Sequence, residues 1–233
     1  MSNHIKCIYC NESIANTVDH IPPKCIFSKP LPANIITVPC CVSCNRKFSL
    51  DDEYFMVVLT LIEDTSKNIY KDKLFNKLQR MKLREQSRKL IDYMKGSFEA
   101  KIRITNSGLI LLNQPGINVD QKRIRSTVER IIKGLVYKET GLLTKEIISV
   151  FTTDYQKLSQ EMTQSLIDVL ELLKEGQLIT IGDGKVFRYK YSYPKSCPEL
   201  SGWILCFFET FYVIALATHE NYTEKFRLTT AST

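Results

Sequence analysis

Two Cys-x-x-Cys pairs, Cys7/Cys10 and Cys41/Cys44, stand near the start of a chain of 233 residues. No other feature narrows the fold as far. Each pair suits a tight turn whose backbone amides point at sulfur. Four thiolates suit one tetrahedral zinc, and they close its coordination sphere, so such a metal is structural. A module this small has too little core of its own and relies on a metal or a disulfide. The chain holds eight cysteines. It opens with no basic stretch followed by an apolar one, so no secretory signal is expected. The expected compartment is the cytoplasm, where thiols stay reduced and Cys-x-x-Cys reads as metal binding. Cys40 competes with Cys41 as a ligand, and the spacing to Cys44 favours Cys41. Cys25, Cys197 and Cys206 read as small core hydrophobes.

Between the pairs, Val18 and Ile21 sit in a short expected strand covering 16–21. Pro22 and Pro23 hold an extended path. Ile35-Ile36-Thr37-Val38 is a second β-prone run, and Pro39 ends it. Ser49 resembles a helix N-cap, with Asp51, Asp52 and Glu53 in the first turn where the dipole favours anions. Tyr54 to Ile62 continues as an apolar helix. His20 lies on the first strand, after Asp19. A lone histidine is more often structural than catalytic. Between two knuckles, a neutral imidazole can take a proton from water attacking a phosphate. An acid beside it suits a divalent cation that neutralises phosphate charge.

These residues carry a resemblance. The run Cys7-x-x-Cys10, Asp19-His20-Ile21-x-Pro23, Asn34-Ile35-Ile36-Thr37-Val38-Pro39, Cys41-x-x-Cys44-Asn45 resembles an HNH endonuclease of the zinc-stapled, ββα-metal type. It covers roughly a quarter of the chain. The resemblance implies that His20 is the general base and that Asp19 and Asn45 ligate a catalytic Mg²⁺-like cation. It implies that Asn34 orients the histidine, and that the reaction is hydrolysis of a phosphodiester, most often in DNA. The family includes nucleases of restriction and phage defence. The chain departs from the usual pattern at Asn45, where a histidine is common, and at Asn45-Arg46-Lys47-Phe48, where Asn-x-x-Lys is usual. Asp52 or Glu53 is a further candidate for the cation, with helix capping the favoured alternative.

Residues 67–103 hold twelve Lys/Arg against four Asp/Glu, a surplus of eight that exceeds the +7 of the whole chain. Tyr70, Leu74, Leu78 and Met81 recur at helical spacing, as do Leu90, Ile91 and Met94. Gly96 closes these basic amphipathic helices. Such charges either track phosphates or form a solvated face. Phe98 to Ile104, the turn Asn106-Ser107-Gly108 and Leu109–Leu112 read as a hairpin. Ile124, Val128, Ile131, Ile132 and Leu135 form a helical stripe, with Lys122, Arg123, Arg125, Arg130 and Lys133 off it. A helix over 154–175 follows, stopped by Gly176. Strands are expected at Leu178–Ile181 and Val186–Tyr193. The apolar run Trp203 to Ala217 is too short to span a bilayer and reads as two strands around Glu209-Thr210. The aromatic alternation Phe187, Tyr189, Tyr191, Tyr193 reads as a sheet face covering the 154–175 helix, with a stacking platform for single strands as the alternative.

The expected fold class is therefore α+β. It has an N-terminal ββα-metal module with structural zinc over 1–65, a basic helical segment and hairpin over 66–120, and a C-terminal helix plus small antiparallel sheet over 121–233. The expected partner is nucleic acid, most often DNA, with no membrane. Two other readings are a zinc-stabilised binding module without catalysis, and a subunit whose C-terminal sheet docks a protein such as an ATPase.

Overall fold

The computed structural model describes residues 5–61, 69–81, 85–96, 98–104, 110–152, 164–194, 197 and 199–219. His4, the turn at 106–108 and residues 154–163 of the expected helix lie outside them. The order is β1 (Thr17–Ile21), a single 3₁₀ turn (Lys24–Ile26), β2 (Ile36–Cys40), α1 (Val42–Leu61), α2 (Ile69–Met81), α3 (Glu85–Gly96), β3 (Phe98–Ile104), β4 (Ile110–Ile117), α4 (Gln121–Thr140), β5 (Thr144–Thr152), α5 (Gln164–Leu173), β6 (Gln177–Ile181), β7 (Phe187–Ser192), β8 (Leu200–Phe207) and β9 (Phe211–His219). The chain is mixed helix and sheet, as expected.

β1 and β2 form an antiparallel pair in which Asp19 faces Val38 and His20 faces Thr37. β3 and β4 form a second hairpin. The remaining strands make one antiparallel sheet of order β5-β9-β8-β7-β6. β5 had no strand signal in the sequence reading. It pairs with β9 along nearly its whole length, so long-range pairing makes the strand. The 203–217 run folds as β8 and β9, as expected, joined by a turn in which Phe208 and Glu209 have φ of 50° and 63°. Two positive φ values in a row match the right-handed twist of the flanking strands. Among the described residues no helix is long and apolar enough to cross a membrane.

α1 starts at Val42, seven residues before the expected cap at Ser49. Its first amide is capped from another segment: Val42 N donates to Asn16 Oδ1 at 3.1 Å. A tertiary cap has no local spacing to reveal it. Asp51, Asp52 and Glu53 therefore lie inside the helix and cap nothing. Further along, Tyr54 to Leu59 are all buried in succession. A helix buried on every side needs neighbours on every side. Phe55 meets Phe207 and Phe211 of the sheet at ring separations of 5.3 and 6.0 Å.

α4 is held at both ends. The Asp120 side chain accepts from the amides of Lys122 and Arg123, and Gly141 ends the helix in the left-handed region with φ of 73°. One core joins β1, β2, α1, α4 and one face of the large sheet, running through the boundaries expected at 65 and 120. Phe187, Tyr189 and Trp203 belong to that core, and the Tyr189 and Tyr191 hydroxyls donate to the two carboxylate oxygens of Glu139 on α4. The aromatic face thus covers α4 and not the expected 154–175 helix. The aliphatic residues Ile214 and Leu216 cover α5, through Val169 and Leu173.

Candidate metal centre and the Asp19–His20 strand

The first knuckle is a turn closed by Asn11 N donating to Cys7 O at 2.8 Å. Ile8 N donates to Pro39 O at 3.2 Å, which docks the knuckle on the end of β2. The second knuckle is the entry to α1, where Cys44 N donates to Cys41 Sγ at 3.4 Å. The four sulfurs of Cys7, Cys10, Cys41 and Cys44 lie within 4.8 Å of one another. Zinc at about 2.3 Å from each of four thiolates sets them about 3.8 Å apart, so the cluster fits that ion with a small contraction. The surroundings favour thiolates at Cys7 and Cys10. Amides of Ser13 and Glu12 pull Cys10 down to about 6. Burial opposes ionisation of Cys7, yet amides of Cys10, Cys41 and Tyr9 outweigh it and lower its pKa. The amino end of α1 adds its positive dipole. Burial raises Cys44, whose sulfur also faces Cys41 and Cys7. A cation among the sulfurs answers that crowding of negative charge.

Cys40 is next in sequence but turned away. Its thiol donates to Cys41 O at 3.3 Å, and burial together with the neighbouring Cys7 pushes it up to about 12. The four-sulfur cluster contains Cys41 and not Cys40. Cys206 is buried, and Cys25 and Cys197 are partly so. Cys25 donates to Asp52 O at 3.3 Å.

Strand alternation then separates Asp19 from His20. Asp19 and Ile21 point inward, whereas Val18 is exposed and His20 half-buried. Asp19 is only 4% exposed, and its Oδ2 accepts from Tyr9 Oη at 2.6 Å and from Arg130 Nη1 at 2.8 Å. The other arm of Arg130 bonds Asp52 Oδ1, and its guanidinium lies over the Phe48 ring at 4.6 Å. One buried cation from α4 thus ties β1 to α1. Burial pushes the Asp52 carboxyl up to about 7 against the pull of Arg130, with Asp19 adding to the push. Seven residues earlier on α4, Arg123 Nε donates to Asp51 Oδ1 at 2.7 Å. Both arginines had been read as lying off the buried stripe. The missed signal was their seven-residue spacing against adjacent aspartates on another helix. Gly134 lets α4 approach this closely, because a Cβ there would meet Ile21 Cγ1 at 2.5 Å.

On the other side of β1, burial and then the nearby Lys24 lower the pKa of His20, so the imidazole is neutral at pH 7. Asn45, on the first turn of α1, donates to Val18 O at 3.0 Å and reaches Thr17 Oγ1 at 3.4 Å. Its carbonyl oxygen carries no hydrogen bond among the described residues. Asn34, expected beside His20, is engaged elsewhere: its amide donates to Thr180 O at 2.9 Å and accepts from Gly182 N at 2.8 Å. That pair of bonds docks the β1–β2 connection onto the β6–β7 turn, 148 residues away in sequence. Glu53 is part of a cleft wall. Among the described residues the four cysteines are the only group of three or more His, Cys, Asp or Glu side chains close enough to share an ion. No protein-family model, curated protein or solved structure matches the chain.

Proposed function

We propose that the chain is a metal-dependent endonuclease of the HNH type, hydrolysing phosphodiester bonds in DNA, with restriction or phage defence as its setting. The observation that carries the reading is His20. It is half-buried on β1, burial lowers its pKa, β2 pairs with that strand, and Asn45 on the first turn of α1 holds the Val18 carbonyl beside it. A neutral imidazole can take the proton from water as its oxygen bonds to phosphorus. One P–O ester bond breaks, leaving a phosphate monoester and a hydroxyl. Asn45 offers the side-chain carbonyl oxygen of an amide whose nitrogen is anchored to Val18 O of β1. Asp19 offers the carboxylate oxygen not taken by Tyr9 and Arg130. A Mg²⁺-like ion held by those two oxygens would neutralise charge on the phosphate and the leaving oxygen.

A second reading, a zinc-stabilised nucleic-acid-binding module without catalysis, is favoured by two observations. Asp19 already serves an ion pair, and Asn34 already serves a docking contact. Supercoiled plasmid with Mg²⁺ or Mn²⁺ separates the two. The nuclease reading expects nicking by the wild type that His20→Ala removes. Equal nicking by both proteins contradicts it, and no nicking by either favours the binding module.

A further inference from the structure

A cleft of about 660 Å³ opens between the segment after β1, α1 and α2. Its rim carries four cations, Lys29, Lys73, Lys77 and Arg80, against one carboxylate, Glu53. Its floor is apolar: Phe27, Met56 and Leu74 line it and are buried. Lys73, Lys77 and Arg80 recur every three or four residues, so they share one face of α2 along about 10 Å of helix. This face is not merely a solvated stripe, because it closes a concavity. Lys77 Nζ donates to Cys25 O at 2.7 Å, which pins α2 to the segment carrying Cys25. Phe27, Met56 and Leu74 leave a ligand almost no surface, so the cationic rim sets the chemistry and calls for an anionic ligand. The volume lies within the range that holds small ligands, about 300–1,000 Å³. It admits one or two nucleotides of a strand and no duplex.

We infer that this cleft is a backbone-binding subsite for a single nucleic-acid strand, with its phosphates on the cations of the rim. The inference rests on the nucleic-acid reading above but not on catalysis. It gives the basic surplus of α2 a specific task, holding the strand that reaches His20. Five residues separate His20 from Cys25, so the cleft edge starts within about 18 Å of the histidine. That is at most about five nucleotides at about 3.4 Å each. Glu53 opposes an anionic ligand and limits its affinity.

The test uses the full zinc-loaded chain carrying His20→Ala, so that nothing is cut while binding is read. Fluorescein-labelled oligothymidylates of four, eight and twelve nucleotides are titrated by anisotropy between 50 and 300 mM salt. Adding Lys73→Gln, Lys77→Gln and Arg80→Gln is expected to weaken binding 10- to 100-fold at the low end. The slope of log affinity against log salt should flatten by about 2, at roughly 0.7 for each phosphate contact. The double variant Lys73→Gln/Arg80→Gln keeps the Lys77 contact with Cys25 and should flatten it by about 1.4. Glu53→Gln should tighten binding a few-fold. A charge-matched control, Lys122→Gln/Lys138→Gln/Lys174→Gln, should stay within twofold. The inference is overturned if the cleft variants bind as tightly as the parent, or if the control weakens equally. It is also overturned if thymidine monophosphate competes as well as the twelve-mer, or if a duplex of equal length binds as tightly as the strand. Because cleavage is never measured, failure here leaves the His20 result standing, and failure there leaves this one.

Discussion

The cysteine cluster and the Arg130 junction hold the same strand by opposite means. The cluster is local and open to inspection: two short spacings, four sulfurs within 4.8 Å, and amides already aimed at them. The junction is long-range and buried. Arg130 reaches Asp19 across 111 residues and Asp52 across 78. A metal staple stabilises whatever geometry its ligands can share. A buried guanidinium between two carboxylates tolerates almost no rearrangement, since every group in it loses its solvation. The difference predicts that the knuckles decide how stably the N-terminal region folds, and that the junction decides where β1 sits relative to α4.

The largest effect should come from the cluster. Cys41→Ser should abolish tight zinc binding and lower the unfolding transition of the shared core, by less than the order of 10 kcal/mol that structural zinc contributes to small modules without one. Cys40→Ser should retain one zinc and lose no more than about 2 kcal/mol, because only a buried thiol contact changes. Metal analysis beside thermal unfolding reads both, and equal loss of zinc in the two variants would break the distinction.

At the junction, Arg130→Met leaves two carboxylates buried without a cation and should destabilise by about 3–5 kcal/mol in urea. Removing the charges as well, in Arg130→Met/Asp19→Asn/Asp52→Asn, should recover a large part of that loss. A triple variant as unstable as the single one would mean that Arg130 acts by packing on Phe48 and not by charge.

Smaller effects sharpen the same contrast. Gly134→Ala gains about 1 kcal/mol of helix propensity but must displace the buried Ile21, at about 1–3 kcal/mol. A net destabilisation of about 1 kcal/mol is expected in denaturant unfolding, and a stabilised variant would show that α4 can back away from β1. Asn34→Ala should lower stability by about 1 kcal/mol, through loss of its bonds to Thr180 and Gly182. If it instead changes only a cleavage rate, with stability untouched, Asn34 acts on His20 and not on docking.

What the sequence made legible follows the same line between local and long-range. Cys-x-x-Cys spacing, the strand before Pro22 and the Ile124–Leu135 stripe each state their structure within a few residues, and each was read. β2, by contrast, runs through Pro39, expected to end it, because Pro39 and Cys40 pair with Val18 and Thr17 of β1. The start of α1 was misplaced because Asn16 caps it from across a hairpin. β5 was missed because its pairing with β9 makes it a strand. Arg123 and Arg130 were placed outside because a charged residue beside an apolar stripe usually faces solvent. Only the carboxylates of α1 draw them in. Within the candidate site, the position of His20 on a strand was readable. The division of Asp19 and His20 between two faces follows from strand period alone, yet the engagement of Asp19 by Arg130 does not.

The proposal stands most directly on the rate of plasmid cleavage in Mg²⁺ by wild type and His20→Ala, under single-turnover conditions and at equal zinc content. A general base contributes about 10²- to 10⁴-fold, so the variant should fall by at least a hundredfold while its zinc and its unfolding transition are unchanged. Equal rates with equal zinc would contradict the assignment of His20 as the base.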